Sequence, residues 1–523
     1  MTEYKLKTDN KEFYLVGGVL LLAFLIRIYY FITTKGQTLW WDEAEYMASA
    51  KHWAFDVPYN LNEQRPPIFQ LMAAGLLKFG FEETALKFIL VILPSTALVF
   101  VTYLLGKEMF GWKTGLIVAF GTGTVWSILF WTARFQPDFL SVTFQLLAFL
   151  FFWKFIKNEN KKFAVYTGIF SAVAFYFKIS ALLVPLSIII FALYYNGFKF
   201  LVKKNYWWMF SSFIIGLIPF MLWQIIAFGN PLAFGVSYSG DFNEGRELGW
   251  MTLEFYHIFL KSLTFGMFIL GIVAVLGKIT ISLDIIYKDK QLRKDPSIFS
   301  LIILLVVTFF YIFYIKGTIE DRWVFLIIPF SFFFVAKTFM FLYEKIDHFS
   351  KLASISFVVI YVVIFTFTQL SHTTDIIQNK EMSYLPVKEA AMMIKSYSNQ
   401  EDKILSVSYT QTVNYAEREV ITYARMDLEN FTRILHKEKP SFVMASIIEP
   451  NHPTWMVHQV QNEQGFKGII FPYFNSSVIF SPEMEIVQYN IKKQISNELA
   501  TFNLLYPYDN SFGGLLLYKV DYK

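Results

Sequence analysis

The sequence predicts a polytopic α-helical membrane protein of about eleven spans, followed by a C-terminal extracytoplasmic α/β domain. Three observations lead there. Of the 523 residues 55% are hydrophobic, 20% aromatic and only 17% charged, with a mean hydropathy of +0.43, a balance that soluble domains do not show. Apolar runs of roughly 17 to 25 residues, long enough to cross a hydrocarbon core as helix, recur from Phe13 to about Leu370. Beyond Leu370 polar and apolar residues mix at short period, as in a soluble domain of about 150 residues.

In chain order the spans are expected at 13–32, 85–106, 114–131, 137–155, 163–177, 181–195, 207–228, 258–277, 298–315, 323–343 and 352–370. The first has the apolar core of a signal peptide. Trp40 and Trp41 follow it in place of a small-residue cleavage site, so it is read as a span. Cytoplasmic loops collect Lys and Arg, which sets the orientation. With the N-terminus cytoplasmic, the inner segments hold Lys5, Lys7 and Lys11; Lys107 and Lys113; Lys154, Lys157, Lys161 and Lys162; Lys199, Lys203 and Lys204; Lys278, Lys288, Lys290, Arg293 and Lys294; and Lys345 and Lys351. The opposite loops carry Asp42, Glu43, Arg65, Arg134, Asp138, Lys178, Arg246, Glu320, Asp321 and Arg322. The expected protein is thus multi-pass in the cell membrane, with its tail outside the cytoplasm. The net charge of +5 follows from lysine placement and gives no reason to expect a nucleic-acid partner. The absence of cysteine removes disulfides, thiolate catalysis and cysteine-ligated metal.

Two domains follow: 1–370, membrane-embedded with a first outer loop at 33–84, and 371–523, soluble. Within the tail, Pro386 opens a helix over 387–394, 404–408 reads as a strand, 427–436 as a helix, 442–446 as a strand, 454–463 as a helix and 468–471 as a strand. The run Phe512-Gly513-Gly514-Leu515 lacks the spacing of a nucleotide-phosphate loop.

The charges of the outer loops carry whatever chemistry there is. Asp42 with Glu45 three positions on is a capping-box pattern, so capping of a helix to about Phe55 competes with catalysis for Asp42. On that helix Asp42, Glu45, Ser49 and His52 share one face while Glu43 points about 100° away. Pro66 and Pro67 stiffen the chain after Arg65 and hold its guanidinium near the headgroups, where it pairs with phosphate or simply snorkels. Arg134 and Asp138 lie in a short turn in which Pro137 and Asp138 also suit a helix start. Lys178 stands between two apolar runs. Glu320-Asp321-Arg322 precedes the tenth span, and Arg322 neutralising Asp321 is the plain alternative to a functional role.

Trp41-Asp42-Glu43-Ala44-Glu45-Tyr46, then Arg65-Pro66-Pro67, then Leu105-Gly106-Lys107-Glu108-Met109-Phe110-Gly111-Trp112-Lys113, then Arg134-Phe135-Gln136-Pro137-Asp138, resemble in order and sidedness the GT-C fold glycosyltransferases of the protein O-mannosyltransferase and lipid A aminoarabinose transferase type. The resemblance covers roughly the first 200 residues. Phe177-Lys178-Ile179-Ser180-Ala181-Leu182 and Asp321-Arg322-Trp323 look like later landmarks of the same family. It implies an inverting transfer of a monosaccharide from a polyprenyl-phosphate carrier to a hydroxyl acceptor on the extracytoplasmic face. Asp42 is then the base, with Glu43 adjoining and Asp138 as the second acidic site. Many relatives have Lys-Pro-Pro where this chain has Arg65-Pro66-Pro67. Trp40-Trp41-Asp42 spells the oligosaccharyltransferase signature, but in those enzymes it lies in the C-terminal domain, whose counterpart here lacks it.

The expected donor-phosphate ligands are Arg65, Lys178 and Arg322, and Glu45, Tyr46 and Arg134 are expected to position acceptor or sugar. A phosphate leaving group needs no general acid, so one base suffices. No cofactor is required on this reading, and no histidine spacing suggests a metal site, although Asp42, Glu43 and Asp138 would hold a divalent ion if they converged. The alternative class is a membrane transporter or flippase of a lipid-linked or anionic substrate. The outer-surface position of the charges argues against a midplane transport site. A second alternative makes the membrane part an anchor for a binding or catalytic tail.

Overall fold

The computed structural model describes residues 10–235, 250–260, 262–281, 292–314, 320–461, 467–481, 486–507 and 514–523. Lys5, Lys7, Arg246, Lys288, Lys290, Ile315, Phe512 and Gly513, which figure in the sequence reading, lie outside the described residues. The chain divides into two compact units, one of residues 1–35, 62–69 and 83–378, the other of residues 36–61, 70–82 and 379–523.

The first unit is helical. Its helices are α1 (Asn10–Thr34) and, after the α2 and α3 introduced below, α4 (Glu83–Phe110), α5 (Trp112–Thr124), α6 (Trp126–Thr132), α7 (Asp138–Asn158), α8 (Lys161–Phe177), α9 (Ile179–Val202), α10 (Lys204–Phe228), α11 (Leu263–Ile281), α12 (Pro296–Tyr314), α13 (Ile327–Phe349) and α14 (Lys351–Asn379). Among the described residues nine helices are long and apolar enough to cross a membrane, or ten if the bent pair α5 and α6 is one span. The remaining expected span, 163–177, is the 17-residue α8. The polytopic membrane architecture expected from hydropathy is therefore present. Three limits move. The eighth span starts at Leu263 after a 3₁₀ stretch, the tenth at Ile327 after the 3₁₀ turn Asp321–Val324, and the eleventh runs on to Asn379, nine residues past the expected end.

Two local features explain how this unit packs. The third expected span is broken by 53° at Val125, which is extended (φ −65°, ψ 133°) after the poor helix formers Gly121-Thr122-Gly123-Thr124. The break is satisfied from a distant helix: the Trp126 amide donates to the Gln369 Oε1 of α14 at 2.9 Å. Where α4 crosses α5, a Cβ on Gly106 would lie 2.7 Å from the Cα of Gly115, so only paired glycines allow this approach. Arg27, fully buried in α1, donates to the Gly123 carbonyl (2.9 Å), the Ala23 carbonyl (2.9 Å) and Ser95 Oγ (3.0 Å), which joins α1 to α4 and α5.

Among the described residues the second unit holds α2 (Trp41–Phe55), most of α3 (Ile68–Lys78), α15 (Leu385–Tyr397), α16 (Tyr409–Ala416) and α17 (Leu428–Glu438) with ten strands. These are β1 (Lys403–Ser406), β2 (Glu419–Ile421), β3 (Phe442–Ser446), β4 (His458–Gln461), β5 (Lys467–Phe471), β6 (Ser476–Phe480), β7 (Ile486–Asn490), β8 (Gln494–Ser496), β9 (Ala500–Pro507) and β10 (Leu515–Tyr522). A six-stranded sheet runs β2-β1-β3-β10-β9-β8, parallel among the first three and antiparallel thereafter, and β4-β5-β6-β7 form a second, antiparallel sheet. Their shared core includes Leu405, Tyr423, Phe431, Val443, Phe502 and Phe474, which stacks on Tyr518 at 4.2 Å. The expected helix at 454–463 is instead a turn leading into β4, because His458–Gln461 pairs with β5 in antiparallel register. Edge pairing across a sheet overrides a weak local helix pattern.

Candidate active site

The residues expected to form a site fall in two sets, one in each unit. In the helical unit, Asp138 opens α7 immediately after Pro137 and is buried at 2% exposure. Its Oδ1 accepts from Lys178 Nζ. Lys178 is placed to do so because it breaks the chain between α8 and α9, in an extended conformation with φ −156°. Arg322 and Glu320 act electrostatically on Lys178, so these four charges share one neighbourhood. Arg322 is buried, with its guanidinium 4.9 Å above the Trp131 ring.

The expectation that Arg322 neutralises Asp321 is corrected here. Arg322 donates to Glu320 Oε2 at 2.5 Å, while Asp321 lies 3.7 Å from His257 Nε2. Burial pushes the Asp321 carboxyl above its ordinary range, His257 pulls it back, and Glu320 adds to the rise.

Arg134 is buried at 1% exposure with its guanidinium 5.6 Å from the Phe130 ring, and its amide closes the end of α6 on the Trp131 carbonyl at 3.0 Å. The turn that carries it packs beside the Arg65 segment, since Phe135 meets Phe69 with ring centroids 4.8 Å apart. Arg65 is half-buried in a turn closed by its own amide on the Asn62 carbonyl at 3.1 Å. That turn is held by Gln224 of α10, which donates to the Glu63 carbonyl (3.2 Å) and accepts from the Phe234 amide (3.1 Å). Gln224 is fully buried and was not singled out from sequence, where it reads as one polar residue in an apolar span.

The second unit holds Asp42, Glu43, Glu45 and Tyr46 in the first turns of α2. The expected Asp42 and Glu45 capping box is corrected by two residues, to Trp40 and Glu43. α2 starts at Trp41, and the carboxylate that reaches back is Glu43, whose Oε1 accepts from the Trp40 amide at 3.4 Å. Glu43, Glu45 and Tyr46 are buried, and Asp42 is half-buried. Lys380 lies over the Trp40 ring at 5.0 Å.

α2 is fastened to α16 along its length. Thr410 Oγ1 donates to the Trp41 carbonyl (3.2 Å), the Leu39 amide to the Tyr415 hydroxyl (3.0 Å), and Lys51 Nζ to the Asn414 carbonyl (2.6 Å) and Glu417 Oε1 (2.9 Å). Two further residues of this unit carry no sequence signal. Tyr384 immediately precedes α15 in a left-handed conformation (φ 61°), and Glu449 is buried, which pushes its carboxyl up to about 7. Among the described residues no three His, Asp or Glu side chains gather as a metal-ligand set.

Residues 64–223 match the family model described as dolichyl-phosphate-mannose-protein mannosyltransferase. ArnT from Cupriavidus metallidurans bound to undecaprenyl phosphate aligns with a TM-score of 0.58 at 12% identity, over 87% of this chain and 97% of that one. The fold is of the GT-C type. A second GT-C structure, the archaeal oligosaccharyltransferase AglB from Archaeoglobus fulgidus in complex with an inhibitory peptide and a dolichol-phosphate, aligns at TM-score 0.57 and 12% identity. That alignment covers 89% of this chain and 76% of that one. No curated protein matches the chain by sequence. The expected resemblance to GT-C glycosyltransferases thus stands, at the level of fold for 87% of the chain and of family pattern for residues 64–223.

Proposed function

We propose that the chain is an inverting glycosyltransferase that moves a monosaccharide from a polyprenyl-phosphate carrier to a hydroxyl acceptor at the extracytoplasmic face of the cell membrane. The observation that carries this reading is the GT-C fold over nearly the full length, shared with two structures that hold undecaprenyl phosphate or dolichol-phosphate. The N-terminus is then cytoplasmic and the tail extracytoplasmic, as the lysine distribution supports.

In the proposed step an acceptor oxygen attacks the anomeric carbon, the bond from that carbon to the phosphate oxygen breaks, and the acceptor proton passes to Asp42. The polyprenyl phosphate leaves with the bonding pair. Asp42 suits the base role because Glu43, not Asp42, caps α2, and because α2 is held against α16. General-base help of this kind is worth about 10² to 10⁴ in rate. Arg65, Lys178 and Arg322 are assigned to the phosphate, whose growing charge needs fixed cations. Asp138 serves first to hold Lys178, and Glu45, Tyr46 and Arg134 support acceptor or sugar placement. No metal takes part in this step, so transfer is expected to persist in excess chelator.

The test begins with mass spectrometry of lipids that copurify with the chain and of glycans lost on its deletion, which defines a product. In membranes carrying Asp42→Asn that product is expected to fall about a hundredfold or more. Wild-type product from a properly inserted Asp42→Asn protein removes Asp42 as base. Flux of a lipid-linked substrate across liposomes without covalent transfer instead favours the transporter class.

A further inference from the structure

We propose that the cavity where α8 and α10 begin binds the headgroup of one anionic phospholipid, at a site separate from the donor-phosphate residues. The cavity measures about 300 Å³ and is lined by Lys161, Lys162, Val165 and Tyr166 of α8 and by Trp208 of α10. The 17 residues of α8, roughly 25 Å of helix, separate it from Lys178, so it lies at the opposite end of the α7 and α8 pair from Asp138. With the orientation proposed above, that end meets the cytoplasmic leaflet.

Its shape follows from where the two helices touch. A Cβ on Gly168 would lie 2.8 Å from the Phe213 amide nitrogen, and one on Gly216 would lie 2.6 Å from the Ala172 Cβ, so α8 and α10 run in close contact over these turns. Ser212 Oγ donates to the Val165 carbonyl at 3.2 Å and marks the edge of that contact. One turn earlier on both helices the small residues give way to Lys161, Lys162 and Trp208, and the seam opens into the cavity. Ile169 and Ile215, both exposed, continue the helix faces of Val165 and Trp208 as an apolar track, four and seven positions on.

The lining has one sign of charge. It holds two ammonium groups and no carboxylate. At the same end of the helical unit Lys107, Lys157 and Lys278 are paired with Glu12, Glu108 and Asp295, whereas among the described residues neither Lys161 nor Lys162 has a carboxylate partner. The Tyr166 hydroxyl and the Trp208 indole N–H likewise find no acceptor among the described residues, and both side chains are 43% exposed. A matching ligand is therefore an acceptor-rich anion at one end and hydrocarbon at the other. The phosphodiester of a phospholipid supplies the first and its acyl chains, laid along Ile169 and Ile215, the second. A choline headgroup would bring a cation toward two lysines, so anionic headgroups are preferred.

The experiment is native mass spectrometry of the purified, delipidated chain in neutral detergent, titrated with palmitoyl-oleoyl phosphatidylglycerol or the matching phosphatidylcholine. It needs no transfer product. The first phosphatidylglycerol is expected to bind about tenfold or more tightly than the first phosphatidylcholine. Each lysine near an anionic lipid is worth about fivefold, so Lys161→Gln/Lys162→Gln should weaken that first binding by about tenfold to thirtyfold. Trp208→Phe, which removes the indole N–H and keeps a ring, should weaken it by about twofold to tenfold. Lys113→Gln/Lys351→Gln takes the same charge from exposed lysines at the same end of the unit and should leave it within about twofold, because charges outside the cavity act only through screening solvent.

Equal losses in the two double variants would mean that net charge alone draws the lipid, and that result overturns the cavity as a site. Equal binding of phosphatidylcholine and phosphatidylglycerol overturns it as well. Excess inorganic phosphate should leave the bound lipid in place, since it has no hydrocarbon to lay along Ile169 and Ile215; displacement would assign the lysines to a free phosphate and remove the lipid.

Discussion

The hydroxyl of Thr410 donates to the backbone carbonyl of Trp41 at 3.2 Å, tying the residue before Asp42 to a helix 369 positions later in the chain. The acidic helix that follows α1 is thus built on the C-terminal region, and the two belong to one compact unit. A loop helix of 15 residues is marginal alone, so its order derives from this attachment.

Lys51 adds a charged fastening. It donates to the Asn414 carbonyl and to Glu417, which also pairs with Lys395 at 2.5 Å. Burial alone would raise the Glu417 carboxyl, but Lys51 and Lys395 outweigh it and hold it below the ordinary range. Lys51→Met is expected to weaken the docking of α2 by about 1.5 to 3 kcal/mol, the scale of hydrogen bonds to charged groups. Hydrogen exchange over residues 41–55 reads this directly: protection should fall about tenfold or more. Unchanged protection there would show that α2 is ordered by other contacts.

A second prediction concerns Asp138 and Lys178. Removing one partner leaves a charge with little access to water, and such losses reach about 3 to 5 kcal/mol. Asp138→Asn and Lys178→Met should therefore each lower thermal stability, and the double variant should be less destabilised than the sum by about 1 to 3 kcal/mol. Product formation should not follow stability, because Lys178 is also assigned to the donor phosphate. The double variant is expected to regain stability and stay slow. Recovery of both would make the pair structural alone.

How much of this was legible in the sequence depends on how local each cause is. Span length and hydropathy belong to contiguous residues, so each expected span corresponds to a helix, with the one at 114–131 broken at Val125. That break is poor to read, because Gly121-Thr122-Gly123-Thr124 is tolerable in a membrane helix and the compensating group, Gln369, lies 243 positions away. The start of α2 lies two residues earlier than expected because Glu43 competes with Glu45 for the capping role over a single turn. The charges at Asp138, Lys178 and Arg322 were visible as exceptions in apolar surroundings. Their pairing was not, since Arg322 bonds Glu320 two positions back while Asp321 approaches His257, 64 positions earlier in the chain. Glu449 carries no sequence signal of its own, because only the fold buries it.

The last prediction is the effect of pH on the stability of the second unit. Glu449 is pushed up to about 7, from an ordinary value of 4.5, chiefly by burial. The folded state therefore binds its proton more tightly than the unfolded state does. Its favourable contribution is fully present below about pH 4.5 and is lost as pH rises toward 7, with no further change above that. A shift of this size corresponds to roughly 3 kcal/mol. Glu449→Gln, neutral throughout, should flatten this dependence, so that the variant unfolds at higher temperature than the wild type at pH 8 and at a similar temperature at pH 4. The comparison is made on the full-length protein in nanodiscs, following the tail by near-ultraviolet signals of its core aromatics, Tyr423, Phe474 and Tyr518. Parallel pH profiles for the two proteins between pH 4 and 8 would mean that Glu449 reaches water and titrates as an ordinary carboxylate.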